Sequence, residues 1–205
     1  MIALDCDGPV WTLTLDRPDK ANSLTREMLV QIRDTVAAAE QAGLAALILT
    51  GRGKVFSAGA DMEAAKAGLA TDPIWEDVSS RIARLPFLTI AGLNGTLAGG
   101  AFGMALACDL RIAVAEARFF YPVMQLGFLP QPSDPARLAA LVGPARARLL
   151  LMAAEKVDAE TALGWGLVDR IVAADDLLPE ARRLSQASAA APEHIRRTIK
   201  RMIAG

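Results

Sequence analysis

Two glycine-rich segments of the chain offer backbone N–H groups that can do chemistry. Each is predicted to be a strand, a run of small residues and the start of a helix: Val55–Asp61 (VFSAGAD) and Asn94–Gly103 (NGTLAGGAFG). Small side chains let a ligand approach the main chain, and the first N–H groups of a helix have no intrahelical acceptor. Two such donors that converge on one oxygen form an oxyanion hole. Tight packing of strand against helix explains the same glycines equally well.

Other kinds of catalytic centre find little support in the composition. The single histidine, His194, follows Glu193 on an amphipathic segment, where a surface position is expected. The two cysteines, Cys6 and Cys108, form no cluster. Neither a zinc site nor a serine–histidine triad is therefore predicted. Without a disulfide or an apolar signal core at its acidic start, the protein is expected to be cytoplasmic.

The overall composition is that of a globular protein with a large core. The chain has 205 residues, which predicts one domain, and 53% of them are hydrophobic. Its 22 basic and 23 acidic residues leave a net charge of −1. This balance provides no electrostatic surface for nucleic acid, so no nucleic-acid partner is expected.

The longest uncharged stretch, Leu85–Cys108, is long enough for a membrane-spanning helix. It contains Pro86, Asn94 and a glycine cluster, and each glycine costs about 1 kcal/mol relative to alanine in a helix. We therefore predict no membrane span. The stretch is interpreted as a buried strand at Leu88–Ala91, a glycine-rich turn and a buried helix.

Strands and helices are predicted to alternate along the chain, which favours an α/β architecture. The predicted strands are Val10–Leu15, Leu44–Thr50, Leu88–Ala91, Leu110–Ala115 and Leu167–Val172. Thr25 is a predicted N-cap. The predicted helices are 25–42, 76–84, 135–142, 145–154, one from about 158, 175–189 and 193–203.

Six segments, in this order, make the chain resemble the crotonase (enoyl-CoA hydratase/isomerase) superfamily. They are LTLDRPDKANSLT, LILTGRGKVFSAGAD, GLNGTLAGGAFGMALACDLRIA, ARFFYPVMQLGFLP, DAETALGWGLVDRIV and APEHIRRTIKRM. The resemblance implies a spiral of repeating β-β-α units, with a core over about 1–175 and C-terminal helices over about 176–205. It also implies binding of an acyl-CoA thioester.

The resemblance assigns roles to particular residues. The N–H groups of Ala60 and Gly100 match the family's oxyanion hole, which would stabilise an enolate. Lys20, and Arg52 or Lys54, flank loops that hold the nucleotide part of CoA in the family; each is also explained as an ordinary surface charge, and Lys20 has the better claim through its motif. Residues expected to line the substrate site are Ala21, Ala58, Asp61, Met62 and Gly99. No metal and no cofactor beyond the CoA moiety is expected.

The chain departs from the family where the hydratases have two glutamates. Gly103 and Val123 occupy those places, and neither residue can move a proton, although both should border the substrate. Val123 also counts against the simple isomerases, which keep the second glutamate. The chain is therefore not expected to be a standard hydratase.

Two side chains are candidates to replace the missing acids. Asp134 lies just before a predicted helix, where an N-cap role is favoured over catalysis, and Tyr121 is equally well explained as a core residue. Asp61 is interpreted as a helix cap and Glu63 as a solvated acid.

Two hypotheses follow for the function. The first is a lyase (a decarboxylase) or isomerase that uses the oxyanion hole, and the second is a non-catalytic protein that binds acyl-CoA or a partner. The relatives continue beyond APEHIRRTIKRM with helices that cover the acyl pocket and build a trimer, which puts a trimer in question here. Self-association as a homo-oligomer is still expected from the apolar composition.

Overall fold

The computed structural model describes residues 1–204, which form two β-sheets surrounded by helices. The strands are Ile2–Asp7 (β1), Val10–Leu15 (β2), Ala46–Gly51 (β3), Val55–Ser57 (β4), Leu88–Leu93 (β5), Thr96–Ala98 (β6), Leu110–Val114 (β7), Arg118–Phe120 (β8), Val157–Asp158 (β9) and Arg170–Val172 (β10). The α-helices are Arg26–Gln41 (α1), Met62–Lys66 (α2), Ile74–Arg84 (α3), Phe102–Ala107 (α4), Val123–Leu126 (α5), Asp134–Val142 (α6), Pro144–Leu151 (α7), Ala159–Trp165 (α8), Leu177–Ala190 (α9) and Glu193–Ala204 (α10).

The larger sheet has the strand order β1-β2-β3-β5-β7-β10, and the smaller sheet has the order β4-β6-β8-β9. Only the pairs at the edges, β1 with β2 and β8 with β9, are antiparallel. The central strands β3 and β5 are continuous apolar runs that are almost entirely buried. Such runs are typical of parallel strands that are covered on both faces.

The chain passes repeatedly from the larger sheet to the smaller sheet and then into a helix. This happens in β3-β4-α2, again in β5-β6-α4 and a third time in β7-β8-α5. The predicted spiral of β-β-α units is thus confirmed. Because β4, β6 and β8 run parallel, their carboxyl ends meet at one edge of the smaller sheet. That edge positions the residues that follow each strand.

The short strands are the main difference from the sequence-based prediction. β4, β6 and β8 have three residues each, which is too short for a period of two to be recognised. The N-terminal β1 is largely exposed and is joined to β2 through Gly8, whose φ is +54°. The predicted strands β2, β3, β5 and β7 and the Thr25 cap of α1 are confirmed within a few residues.

The uncharged stretch belongs to the core. It supplies β5, β6 and α4, and every side of the short α4 is buried. Within residues 1–204, no helix combines the length and the apolar character that crossing a membrane requires.

Candidate active site

The carboxyl ends of β4, β6 and β8 open into one cavity of about 290 Å³. The residues that follow these three strands and line it are Ala58, Ala60, Gly99, Gly100, Tyr121 and Val123. The opposite wall comes from α2, α3 and the 126–131 segment. The two glycine-rich segments singled out in the sequence are therefore brought to a single site.

Both predicted oxyanion donors are free to bind a ligand. Within the described residues, the Ala60 N–H has no hydrogen-bond acceptor, whereas its neighbour Asp61 donates to the carbonyl of Leu24 at 2.8 Å. Gly100 lies in the first turn of a short 3-10 helix, Gly99–Ala101, where N–H groups have no intrahelical acceptor. Both groups border the cavity, as an oxyanion hole requires.

Gly59 makes the close approach of the two segments possible. Its φ is +90°, a conformation that other residues rarely adopt. A Cβ at this position would lie 3.0 Å from the Ala98 carbonyl oxygen and 3.4 Å from the Gly100 nitrogen. The backbone of one segment is thus packed directly on the backbone of the other.

Trp75, on α3, covers Gly100 from the other side. A Cβ at Gly100 would lie 3.2 Å from the indole ring, which is buried and donates its N–H to the Leu69 carbonyl at 2.8 Å. The ring therefore has a fixed position, and a side chain at position 100 would have to push it aside.

The predicted substrate-binding residues fall into two groups. Ala58, Met62, Gly99 and Val123 line the cavity, but Lys20, Ala21 and Asp61 do not. The last three have other surroundings. Lys20 is exposed. The Ala21 carbonyl accepts the N–H of Ala58 at 3.0 Å.

Asp61 acts as the predicted helix cap. Its carboxylate accepts the first N–H groups of α2 and pairs with Arg17 at 2.8 Å. The hydrogen bond from Arg17 holds the pKa of Asp61 below its usual value, with help from those N–H groups. Asp61 therefore shapes the segment that carries Ala60, and it stands away from the cavity wall. His194 is exposed, as predicted.

The hydratase positions provide no carboxylate. Val123 is on the cavity wall, and Gly103 lies behind it, buried in α4. Among the described residues that line the cavity there is no aspartate or glutamate. The polar side chains on the wall are those of Lys66, Trp75, Tyr121 and Gln131. Lys66 is exposed and pairs with Glu63.

Gln131 was not identified from the sequence. It lies in the connection from α5 to α6, between two prolines and outside any periodic pattern, so no local signal marks it. Its side-chain nitrogen donates to the Gly100 carbonyl at 2.7 Å.

The interpretation of Asp134 as a helix cap was wrong, because its side chain does not cap α6. Ser133 occupies the N-cap position, and its N–H and hydroxyl donate to the Glu76 carboxylate at 3.1 and 2.5 Å. The Asp134 carboxylate is thereby left to turn inward. It accepts the hydroxyl of Tyr121 at 2.8 Å, and Tyr121 stacks on Phe102 with ring centroids 5.2 Å apart.

Only one member of this pair titrates near neutrality. Asp134 is fully buried, and burial raises its pKa to about 7, against the hydrogen bond from Tyr121 and the charge of Arg137. Burial likewise raises the pKa of Tyr121, and the nearby carboxylate adds to this. Tyr121 therefore stays protonated, and Asp134 gains or loses a proton close to pH 7. Tyr121 stands between Asp134 and the cavity.

We expect Asp134→Asn to be more stable than the wild type at pH 8, with a difference that narrows at pH 5. Because the folded protein binds this proton more tightly than the unfolded chain, the wild type loses stability as the pH rises from about 4 to 7. Each unit of pKa corresponds to about 1.4 kcal/mol, so the gap should narrow by roughly 1–3 kcal/mol. Thermal unfolding at both pH values measures it.

Asp158→Asn is the control for this prediction. Asp158 caps α8 by accepting the Thr161 N–H at 2.9 Å, and that hydrogen bond lowers its pKa. Its contribution is therefore complete well below pH 5, and the effect of the substitution should be the same at both pH values. Equal pH dependence in the wild type and Asp134→Asn would contradict the assignment of this proton to Asp134.

Known proteins are similar to this chain over nearly its whole length. The family model for enoyl-CoA hydratase/isomerase matches residues 6–205. A probable enoyl-CoA hydratase (echA8) of Mycobacterium leprae is 34% identical over 98% of this chain and 81% of that protein. The 4-chlorobenzoyl coenzyme A dehalogenase-2 of Arthrobacter sp is 30% identical over 98% of this chain and 77% of that protein.

The same relationship is found in three dimensions. The crystal structure of an enoyl-CoA hydratase from Bacillus anthracis superposes with a TM-score of 0.92 at 29% identity. It covers 100% of this chain, which in turn spans 82% of that one. On the family match, the sequence identity and the shared fold together, the chain belongs to the enoyl-CoA hydratase/isomerase family.

Proposed function

We propose that the protein is a lyase that decarboxylates an acyl-CoA carrying a carboxylate on its α-carbon. The thioester oxygen would accept hydrogen bonds from the N–H groups of Ala60 and Gly100. The observation that carries this proposal is the presence of two free amide donors on a cavity without a carboxylate. Such a site can stabilise an enolate but has no carboxylate on its wall to form one by removing an α-proton directly.

Relatives support the ligand class more than the reaction. Their names include a hydratase and a dehalogenase, and both names describe reactions of a CoA thioester. What these reactions share is the acyl-CoA and not the bond that breaks. The thioester is therefore the part of the ligand that we assign to the Ala60 and Gly100 donors.

Decarboxylation suits the character of the cavity wall. In this reaction the bond between the α-carbon and the carboxylate breaks and carbon dioxide leaves. The electron pair of the broken bond stays with the acyl-CoA and forms the enolate. The substrate carboxylate would lie among Trp75, Phe120, Tyr121 and Val123, without a buried cation to stabilise it. Loss of hydration and the lack of a partner disfavour the charged substrate more than the enolate, whose charge lies at the two amides.

The enolate then needs one proton on its α-carbon. Tyr121 is the hydroxyl on the cavity wall, and Asp134 lies directly behind it. We assign the proton transfer to Tyr121, which would recover a proton from neutral Asp134, and Asp134 from water. The N–H groups, Tyr121 and Asp134 account for every step, so the proposal includes no cofactor beyond the CoA moiety and no metal.

The CoA moiety is assigned to three exposed basic residues that lie outside the cavity wall. Lys20, Arg52 and Lys54 are all exposed, and Arg52 also pairs with Asp16 at 2.6 Å. Of the three, Lys20 lies beside Ala21, which supports the Ala58 segment of the cavity. We therefore expect Lys20→Ala to weaken binding of CoA itself as much as that of acyl-CoA.

A panel of malonyl-, methylmalonyl- and crotonyl-CoA tests the proposal. We expect turnover of a carboxyacyl-CoA with release of carbon dioxide, and at least a roughly 10²-fold lower rate in Tyr121→Phe. Asp134→Asn should lower the rate and remove its dependence on pH near 7. Calorimetry with butyryl-CoA measures binding separately. Folded protein that binds no acyl-CoA, or that turns over none of the panel, would contradict the proposal.

A second function is favoured by the state of the Tyr121 hydroxyl. The hydroxyl donates its hydrogen bond to Asp134, which lies away from the cavity, and neither Gly103 nor Val123 can move a proton in its place. These features suit a protein that binds acyl-CoA without turnover. Tight binding of butyryl-CoA together with no turnover of any panel member would select this function over the first.

We also propose that the protein associates with itself through α10. Ile195, Ile199, Met202 and Ile203 form an apolar stripe on this helix and are 43–82% exposed. Analytical ultracentrifugation should show an oligomer. The paired changes Ile199→Ser and Met202→Ser should shift it towards monomer, because they remove apolar area from the contact.

A further inference from the structure

The side chain of Gln131 occupies the space that a side chain at position 103 would need. A Cβ on Gly103 would collide with Oε1 of Gln131 and would lie 2.9 Å from both Nε2 and Cδ. Gly103 is in helix α4 and its φ is not in the left-handed region, so backbone conformation does not require a glycine there. The requirement at this position is space.

The Gln131 amide is held by its nitrogen. Nε2 donates to the Gly100 carbonyl at 2.7 Å, whereas Oε1 is buried without a hydrogen-bond partner in the described chain. The opposite orientation of the amide would set two oxygens against each other. The interaction is therefore directional: Gln131 donates to the segment that carries the Gly100 N–H.

The same residue borders the second half of the site. Burial and the Asp134 carboxylate raise the pKa of Tyr121, and the polar groups of Gln131 oppose the effect. The Gln131 carbonyl accepts the Asp134 N–H at 3.1 Å. Gln131 thus contacts both the segment that carries the Gly100 N–H and Asp134, the hydrogen-bond partner of Tyr121.

We propose that Gln131 replaces the side chain missing at position 103 and acts as a positioning residue for Gly100 and Tyr121. It follows that a side chain at position 103 is tolerated best when position 131 has a smaller residue. The role of Gln131 in turnover rests on the proposed function. Its filling of the space beside Gly103 does not.

A double-mutant cycle on stability tests whether Gln131 fills the space that a side chain at position 103 would need. Gly103→Ala should lower the melting temperature by about 2–12 °C, because the added methyl group overpacks the site. In a Gln131→Ala background the same change should cost less than half as much. In the background of Gln125→Ala, an exposed glutamine of α5, it should cost as much as in the wild type. Equal costs in all three backgrounds would overturn the proposal.

Gln131→Met separates positioning from space filling, because methionine keeps the volume and loses the donor. Tyr121 is the only tyrosine of the chain, so a single ¹³C-labelled tyrosine signal reports its hydroxyl. We expect the pH midpoint of that signal to rise by about half a unit in Gln131→Met, because a less acidic hydroxyl stabilises the Asp134 carboxylate less. An unchanged midpoint would overturn the positioning role.

Measurements with acyl-CoA complete the test. With acyl-CoA, Gln131→Met should lose about tenfold or more in turnover, or in affinity where turnover is absent, because the Gly100 segment is no longer held. The stability cycle and the tyrosine titration need no acyl-CoA. If both succeed and no acyl-CoA binds, only the proposed function fails. If acyl-CoA is turned over while Gly103→Ala costs the same stability with and without the Gln131 side chain, only this inference fails.

Discussion

Crotonyl-CoA should be hydrated by this protein at least about 10²–10⁴-fold more slowly than by a relative with a glutamate at both hydratase positions. A general acid or base typically contributes a factor of that size, and both are missing. Val123 is on the cavity wall but cannot move a proton, and Gly103 has no side chain. The measurement is the loss of the crotonyl-CoA absorbance with time. Hydration at the rate of an ordinary hydratase would contradict the proposed site.

A carboxyl group introduced at position 123 should restore part of the missing hydration activity. Val123 is 9% exposed and lines the cavity, so Val123→Glu places a carboxyl group on its wall. Burial should raise the pKa of that group towards neutrality, which suits a general acid or base. We expect crotonyl-CoA hydration to rise above the wild-type level in Val123→Glu but not in Val123→Leu. Gly103→Glu should fail to fold or to act, because Gln131 occupies its space.

Gly59→Ala should lower acyl-CoA turnover by about 10²-fold or more, the effect of losing an oxyanion donor. The φ of Gly59 is +90°, and a Cβ there would press on the Ala98 carbonyl at 3.0 Å. Relief of this contact moves the Gly100 segment away from Ala60. The two N–H groups would then no longer be placed to bind one thioester oxygen together, as the proposed function requires. The measurement is kcat/KM on the best substrate of the panel, together with the affinity for butyryl-CoA.

Gly166→Ala is a closely matched control for this change. Gly166 has a φ of +82°, and its Cβ would lie 3.2 Å from the Leu141 carbonyl, at the end of α8 and away from the cavity. Both substitutions should therefore lower the melting temperature by several degrees through backbone strain. Only Gly59→Ala should affect the ligand. An equal loss of binding or turnover in the two variants would show that general destabilisation, and not the geometry of the donors, explains the effect.

The sequence by itself determined the family and the central elements. β2, β3, β5 and β7 follow from apolar runs and alternation, and the start of α1 follows from the Thr25 cap. These signals come from residues that are neighbours in the chain, so the pattern contains them completely. The two glycine-rich segments and the absence of both hydratase glutamates were also evident from the residues alone.

The tertiary structure decided what surrounds the donors. The interpretation of Asp134 as a cap was wrong because Glu76, from another helix, binds Ser133 and leaves Asp134 to Tyr121. Gln131 was missed because the space that it fills is created by Gly103, far away in the chain. Both outcomes depend on which groups share one buried volume. A local pattern reports the neighbours of a residue along the chain, whereas a pKa and an available space depend on neighbours that only folding brings together.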